Sequence, residues 1–257
     1  MNAIAEVLKE FSPEILGVLV GKLDEEEQGE LCALIQQEEH DDIIARCSER
    51  VVAHDRGPMY WLRNCTKTEN FQWQAQGLQP KEAFPYKPHA GYDRDYMDVV
   101  MGYILEDSEL YIPKTREMMT SWLVTGYITW MCQFFPSTGW IGQSETDLKA
   151  QGLIKYANIL YDNQPEWLRR RFPLKRGESG TLHKIEYAHG SWFRAVAQGE
   201  RQLASDHPYG YFNDESAHQP AWEATKDIAK PAVRQSIHVS SAAPSRFFDL
   251  CDVGSAV

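Results

Sequence analysis

Three polar clusters in this sequence carry residue types that together suit phosphoryl chemistry. The first runs Lys114-Thr115-Arg116-Glu117-Met118-Met119-Thr120-Ser121. An apolar run, Leu110-Tyr111-Ile112, leads into it, and a second, Leu123 to Phe135, leads out. A strand, a short polar turn and a helix form an anion-binding geometry, because backbone N–H groups and the positive end of the helix converge on one point. The usual pattern is G-x-x-x-x-G-K-[ST]. Here Ser121 stands for the hydroxyl that binds Mg2+, Thr120 takes the place of the lysine, and Met119 takes the place of the last glycine. The cations Lys114 and Arg116 lie at the start of the loop instead.

The second cluster closes an aromatic strand, Tyr209-Gly210-Tyr211-Phe212, with Asn213-Asp214-Glu215. Two adjacent carboxylates at a strand end supply what nucleotide hydrolysis needs beside a phosphate loop. Asp214 can hold Mg2+ through its water shell. Glu215 can orient and deprotonate an attacking water. An exposed acidic turn is the plainer reading of the same pair. The third cluster ends the strand Gln235 to Val239 in Ser240-Ser241-Ala242-Ala243-Pro244-Ser245. In an additional-strand ATPase such a strand lies between those bearing the first two motifs, and its terminal hydroxyls, here Ser240 and Ser241, can then sense the terminal phosphate. Taken alone, it also reads as a Ser-rich turn after an ordinary strand.

The elements that must position these clusters follow from periodicity. Residues 2–53 read as helices. Ser12-Pro13-Glu14 is a capping sequence, and Asp24-Glu25-Glu26-Glu27 opens a helix whose buried stripe is expected at Leu31, Leu34, Ile35, Ile43 and Ile44. This segment is expected to be a helical appendage, residues 1–56, packed on the main domain or on a partner. His54 to Pro88 is aromatic and punctuated by Gly57-Pro58 and Gly77, which suggests a folded-back linker rather than a helix. Its aromatics suit a core. The alternative places Tyr86 or His89 against a nucleotide base, since this segment runs into the strand before the loop.

Asp93 to Leu105 has helical spacing, Glu109 to Ile112 is a strand, and Ser121 to Phe134 is a helix apolar all round, as a helix buried beside a sheet would be. Gly139 to Gly142 is another strand, followed by a helix capped by Ser144-Glu145-Thr146-Asp147 and carrying Leu148, Leu153, Ile154, Ala157 and Leu160. Arg169, Arg170, Arg171, Lys175 and Arg176 form the most basic stretch, either a solvated face or a phosphate contact. Thr181 to Tyr187 and Ser191 to Val196 read as a hairpin. Strands alternating with helices predict an α/β domain, residues 57–257, with a mostly parallel sheet flanked by helices.

Composition narrows the setting. At 257 residues and 43% hydrophobic the chain can bury a large core, while its net charge of −11 provides no global field for nucleic acid. Five scattered cysteines without a C-x-x-C pair suggest a reducing compartment and no structural zinc. The longest apolar run is too short and too interrupted to span a bilayer. A soluble protein without a membrane partner is expected.

In order and context these clusters resemble the ATPase domain of large terminase subunits, the DNA-packaging motors of tailed bacteriophages. Lys114 to Ser121 is similar to that family's deviant loop, in which a basic residue at the start replaces the usual lysine. Asp214-Glu215 is similar to its second motif and Ser240 to Pro244 to its coupling motif. Thr138 to Glu145 is similar to its strand after the loop. The resemblance covers roughly residues 85–248 and implies a P-loop NTPase of the additional-strand type.

It also implies ATP and Mg2+ as cofactors, translocation of double-stranded DNA into a procapsid, and a homo-oligomeric ring at a portal protein, with a small terminase subunit, in the host cytoplasm. Lys114 would pair the phosphates, Ser121 and Asp214 would hold the metal, and Glu215 would be the base. Arg116 or Arg201 would contact the terminal phosphate of its own or a neighbouring site. Met119 stands where most members carry glycine, so a Cβ enters where φ > 0 is often needed. Little chain follows Ser245, so DNA cleavage is not expected of this chain, and a nuclease would be a separate chain or lost. Two other readings share the motifs. One is a helicase-like ATPase; the other is a degenerate P-loop protein with an assembly or binding role.

Overall fold

The computed structural model describes residues 22–69, 81–83, 96–115, 118–175, 182–199, 207–243 and 245–254. The chain divides into two compact units, Met1–Glu49 and Arg50–Val257. In the first, helix α1 (Glu25–Ser48) starts at a reciprocal capping box. Glu27 N–H donates to Asp24 Oδ1 at 2.9 Å, and Asp24 N–H donates to Glu27 Oε2 at 3.0 Å. Three glutamates in the first turn and Arg46 in the last complement the helix dipole. The expected stripe is covered only in part: Leu31, Ile43 and Ile44 are half-buried, Leu34 and Ile35 are exposed, and Cys47 is the buried residue of the helix. Ser12-Pro13-Glu14 lies outside the described residues.

The second unit opens with α2 (Gly57–Cys65), which corrects the expectation of a linker there. Gly57-Pro58 starts this helix rather than breaking the chain, because proline's fixed φ and missing N–H suit a first helical turn. Trp61 and Leu62 are fully buried. A short antiparallel pair follows, β1 (Lys67–Glu69) with β2 (Lys81–Ala83), and then α3 (Tyr96–Glu106), which buries Met97, Met101 and Ile104. Next come β3 (Glu109–Lys114), α4 (Thr120–Phe134), β4 (Gly139–Ser144), α5 (Asp147–Asp162) and α6 (Glu166–Arg171). The chain continues through β5 (Lys184–Glu186), β6 (Trp192–Ala197), β7 (Gly210–Asp214), α7 (Trp222–Ala229), β8 (Gln235–Ser241) and α8 (Phe247–Gly254). Strand β3 runs two residues further than its sequence suggests, so Lys114 belongs to the strand and not to the turn. Leu148 in α5 is exposed rather than buried, because it sits at the first turn, facing away from the sheet-side residues Leu153, Ile154 and Ala157.

Six strands form one sheet in the order β3-β8-β7-β4-β6-β5. Every pairing is parallel except β5 with β6, the predicted hairpin. Its turn places Gly190 at φ 91°, a conformation that suits glycine. Strand β8 enters late in the chain yet lies between β3 and β7. Helix α4 is buried along most of its length, with Trp130, Tyr127 and Ile128 at 0% exposure, and it packs against α2, α3 and α5. On the other sheet face, Tyr211 and Ile141 join Ala229 of α7 in the core. Gly210 is required by close approach: a Cβ there would lie 2.4 Å from the Trp140 ring on the neighbouring strand. Among the described residues no helix is long and apolar enough to cross a membrane.

Candidate active site

A parallel sheet brings its strand ends to one edge, and the register decides which side chains share a face. Lys114 pairs with Ser241, and Asp214 with Val239. With period-two alternation, Lys114, Asp214 and Ser241 all point to the α4 side. The helix after the loop starts there. Its first residues, Thr120 and Ser121, follow Met119, which has φ 50° and ψ 18° and caps the helix with no side-chain hydrogen bond. The positive end of α4 lies at the carboxyl end of the sheet, beside the end of β7, where Ser121 meets Asp214.

Four of the expected residues meet in two pairs. Ser121 Oγ donates to Asp214 Oδ1 at 2.7 Å. Lys114 Nζ donates to Glu215 Oε1 at 2.7 Å, an ion pair whose side chains are 10% and 19% exposed. The other Glu215 oxygen accepts from Ser241 N–H at 3.0 Å and from Ser241 Oγ at 2.8 Å. Ser240 Oγ accepts from Ala217 N–H at 3.0 Å, which ties the turn after β7 to the end of β8. Thr115, Met118, Met119 and Thr120 line the loop, and Tyr96 OH donates to Met118 O at 2.6 Å from α3. Arg116, Glu117, Arg201, Tyr86 and His89 lie outside the described residues.

The two carboxylates differ in acidity for identifiable reasons. Burial raises the Asp214 carboxyl to about 6, with the neighbouring Glu215 charge adding to it and the Ser121 hydrogen bond opposing it. Burial also pushes Glu215 upward, but Lys114 and both Ser241 donors outweigh it and hold the carboxyl at about 2. A group near neutrality beside a fully ionised one is the pattern expected where acids have separate tasks. Glu215 also sits at φ 58° and ψ 46°. Left-handed geometry at two non-glycine residues, Met119 and Glu215, concentrates backbone strain at this one edge.

Several residues here carry no strong sequence signal. Behind the acid pair, on the opposite sheet face, Gln219 Nε2 donates to Asn213 Oδ1 and to Asp214 O, each at 2.8 Å. Gln219 Oε1 accepts from Gln143 Nε2 at 3.0 Å, and Tyr211 OH bridges Asn213 and Gln143 at 2.7 and 3.1 Å. This fully buried, mutually satisfied network fixes the turn that carries Asp214 and Glu215. Ser144, at the end of β4, is buried on the Asp214 face, and its hydroxyl has no partner among the described residues. His218 Nε2 lies 3.1 Å from Ser241 Oγ. The run of polar residues Asn213 to Gln219 was the available signal, since so many in succession after a buried strand need partners.

The strand order decides the fold. A loop-bearing strand and an acid-bearing strand separated by a later, hydroxyl-ended strand give the sheet order of the P-loop NTPase fold, additional-strand type. Solved structures of phage large terminases are similar to it. The large terminase of bacteriophage HK97 superposes with a TM-score of 0.49 at 11% identity, over 72% of this chain and 36% of that one. The large terminase ATPase domain of Thermus phage P74-26 gives 0.40 at 13% identity, over 57% and 65%. The large terminase of the thermophilic bacteriophage D6E, in complex with ATP-gamma-S, gives 0.34 at 13% identity, over 54% and 34%. The match spans about a third of the HK97 protein and just under two thirds of the P74-26 domain. The sequence itself matches no protein-family model and no curated protein. Likenesses this distant concern the path of the chain and carry nothing about its activity.

Proposed function

We propose that this chain is the Mg2+-dependent ATPase module of a viral DNA-packaging motor, with residues 57–257 as its catalytic domain. The observation that carries the reading is the placement of β8. It brings the Ser241 hydroxyl to Glu215 beside Lys114, while Ser121 and Asp214 meet within 2.7 Å at the start of α4.

The residues fit the roles this chemistry requires. The positive N-terminal end of α4 and the ammonium of Lys114 would bind the phosphates. Ser121 Oγ and Asp214 Oδ1 are hard oxygen donors that converge at one point, which suits Mg2+. When bound, Mg2+ would neutralise charge on the phosphate oxygens. Glu215 would accept the proton of the attacking water once its present donors turn to the nucleotide. Ser240 and Ser241 would then register the terminal phosphate and pass its presence to β8. The cation at position 114, carried by the end of the loop-bearing strand instead of the usual lysine position, favours a packaging motor, acting on double-stranded DNA as a ring, over a helicase-like ATPase.

Met119 favours one competing reading, a nucleotide-binding protein without turnover. A single comparison separates the two. Mg2+-dependent ATP turnover is measured for the purified chain, Lys114→Ala and Glu215→Ala, with and without double-stranded DNA. Turnover that falls by at least ~100-fold in both variants supports the motor ATPase. Nucleotide binding with no turnover in the wild type supports the binding role.

A further inference from the structure

The turn after β7 holds a group that the nucleotide chemistry does not use. Ser216–His218 forms a single 3-10 turn, and its last residue, three after Glu215, reaches back over the end of β8. His218 Nε2 lies 3.1 Å from Ser241 Oγ and 3.8 Å from Glu215 Oε2. Hydrogen counting fixes the direction of these contacts. A serine hydroxyl has one proton, and an ionised carboxylate can only accept. Ser241 Oγ spends its proton on Glu215 Oε2, at 2.8 Å. Its oxygen must then accept from His218, so Nε2 carries a hydrogen. With Nε2 bare, two acceptors would compete for one proton and the Ser241–Glu215 bond would weaken.

We infer that His218 is a positioning residue, which as an Nε2–H donor turns the Ser241 hydroxyl toward Glu215 and so sets the resting orientation of the acid at this site. The inference rests on the ATPase reading for its consequence but not for its geometry. The turn is independently pinned by Ala217 N–H to Ser240 Oγ at 3.0 Å and by His218 N–H to Glu215 O at 3.0 Å. Loss of the imidazole therefore changes the hydroxyl's direction without dissolving the turn. Side-chain length selects the substitutes: glutamine can place an N–H near the Nε2 position, whereas phenylalanine keeps the ring and loses the donor.

The test has two readouts on the full chain. Nitrogen-15 NMR of the histidine side chains is expected to show a hydrogen on Nε2 of His218, with its ring resonances moved by Ser241→Ala. A bare Nε2, or resonances indifferent to Ser241→Ala, overturns the inference. In ATP turnover, His218→Phe is expected to lose about tenfold. His218→Gln is expected to restore most of it. In a Ser241→Ala background His218→Phe is expected to cost nothing further. An equal loss in both backgrounds, or no rescue by glutamine, shows a role in the turn alone and overturns the inference. If the wild type does not hydrolyse ATP, the ATPase reading fails, and the NMR comparison still decides the place of His218.

Discussion

Lys114 Nζ and Glu215 Oε1 lie 2.7 Å apart, so the cation expected to meet phosphate is joined to the acid expected to meet water. Lys114 and Ser241 together hold Glu215 at about 2. A carboxylate this acidic is a weak proton acceptor at neutral pH. On the proposed function, phosphate would draw both donors away and return basicity to Glu215, so that the base would strengthen when substrate binds. The same pairing contributes to stability. Because the folded pKa is depressed from 4.5, the contribution is present above about pH 4.5 and lost as pH falls toward 2. Lys114→Met is expected to lose this part of the acid limb in denaturant titrations across that window, and to reduce turnover at least ~100-fold. Identical acid limbs in wild type and variant would refute the pairing.

Asp214 behaves oppositely. Its carboxyl is raised from 3.8 to about 6, so the folded state holds its proton more tightly than the unfolded chain does. The favourable contribution is complete below about pH 3.8 and disappears as pH rises through 6. At pH 8 the buried charge costs about 1–3 kcal/mol without a metal. Asp214→Asn is expected to raise the metal-free melting temperature at pH 8, and to abolish the further rise that the proposed function predicts for the wild type on adding Mg2+. A variant less stable at pH 8, or one that keeps the Mg2+ shift, would contradict this assignment.

Met119 occupies the left-handed region at φ 50° where glycine would sit without strain. An unbranched side chain there costs about 1–2 kcal/mol, partly offset by the greater chain entropy of glycine. Met119→Gly is expected to stabilise the protein by about 0.5–1 kcal/mol and raise the melting temperature by ~2 °C. Nucleotide affinity, followed by a fluorescent ATP analogue, should be retained. Met119→Val should do the reverse, because a β-branched side chain fits that conformation poorly. A destabilised glycine variant would show that the Met119 side chain supplies packing worth more than the strain.

The sequence made the candidate site readable because its polar groups are written in strand ends. Lys114, Ser121, Asp214 and Ser241 each lie just before or after an apolar run, and alternation carried their order into the sheet. What it hid depends on partners far along the chain. The Gln143–Gln219 bond spans 76 residues, and neither amide has a local pattern that points to the other. Periodicity also misjudged α1: Leu34 and Ile35 have helical spacing yet are exposed. Spacing gives a face but not the surface that covers it. Gly57-Pro58 misled for a different reason, since the pair that ends one helix also opens another.

His238 is fully buried at the middle of β8, pairs in register with Tyr111 and Asn213, and stacks on Tyr111 at 4.9 Å. Neither ring nitrogen has a partner among the described residues. Burial pushes the imidazole down to about 3, against an ordinary 6.5. The folded state therefore excludes a proton that the unfolded chain takes up. Stability is fully present above about pH 6.5 and falls as pH drops toward 3, by about 1.4 kcal/mol per pH unit. His238→Phe keeps an aromatic ring against Tyr111 and leaves nothing to titrate. The difference in unfolding free energy between wild type and variant, measured from pH 7.5 to 4, is expected to tilt toward the variant as pH falls. A difference that stays constant over that range would mean that the imidazole gains a proton or a partner inside the fold, and that β8 is less closed than its burial indicates.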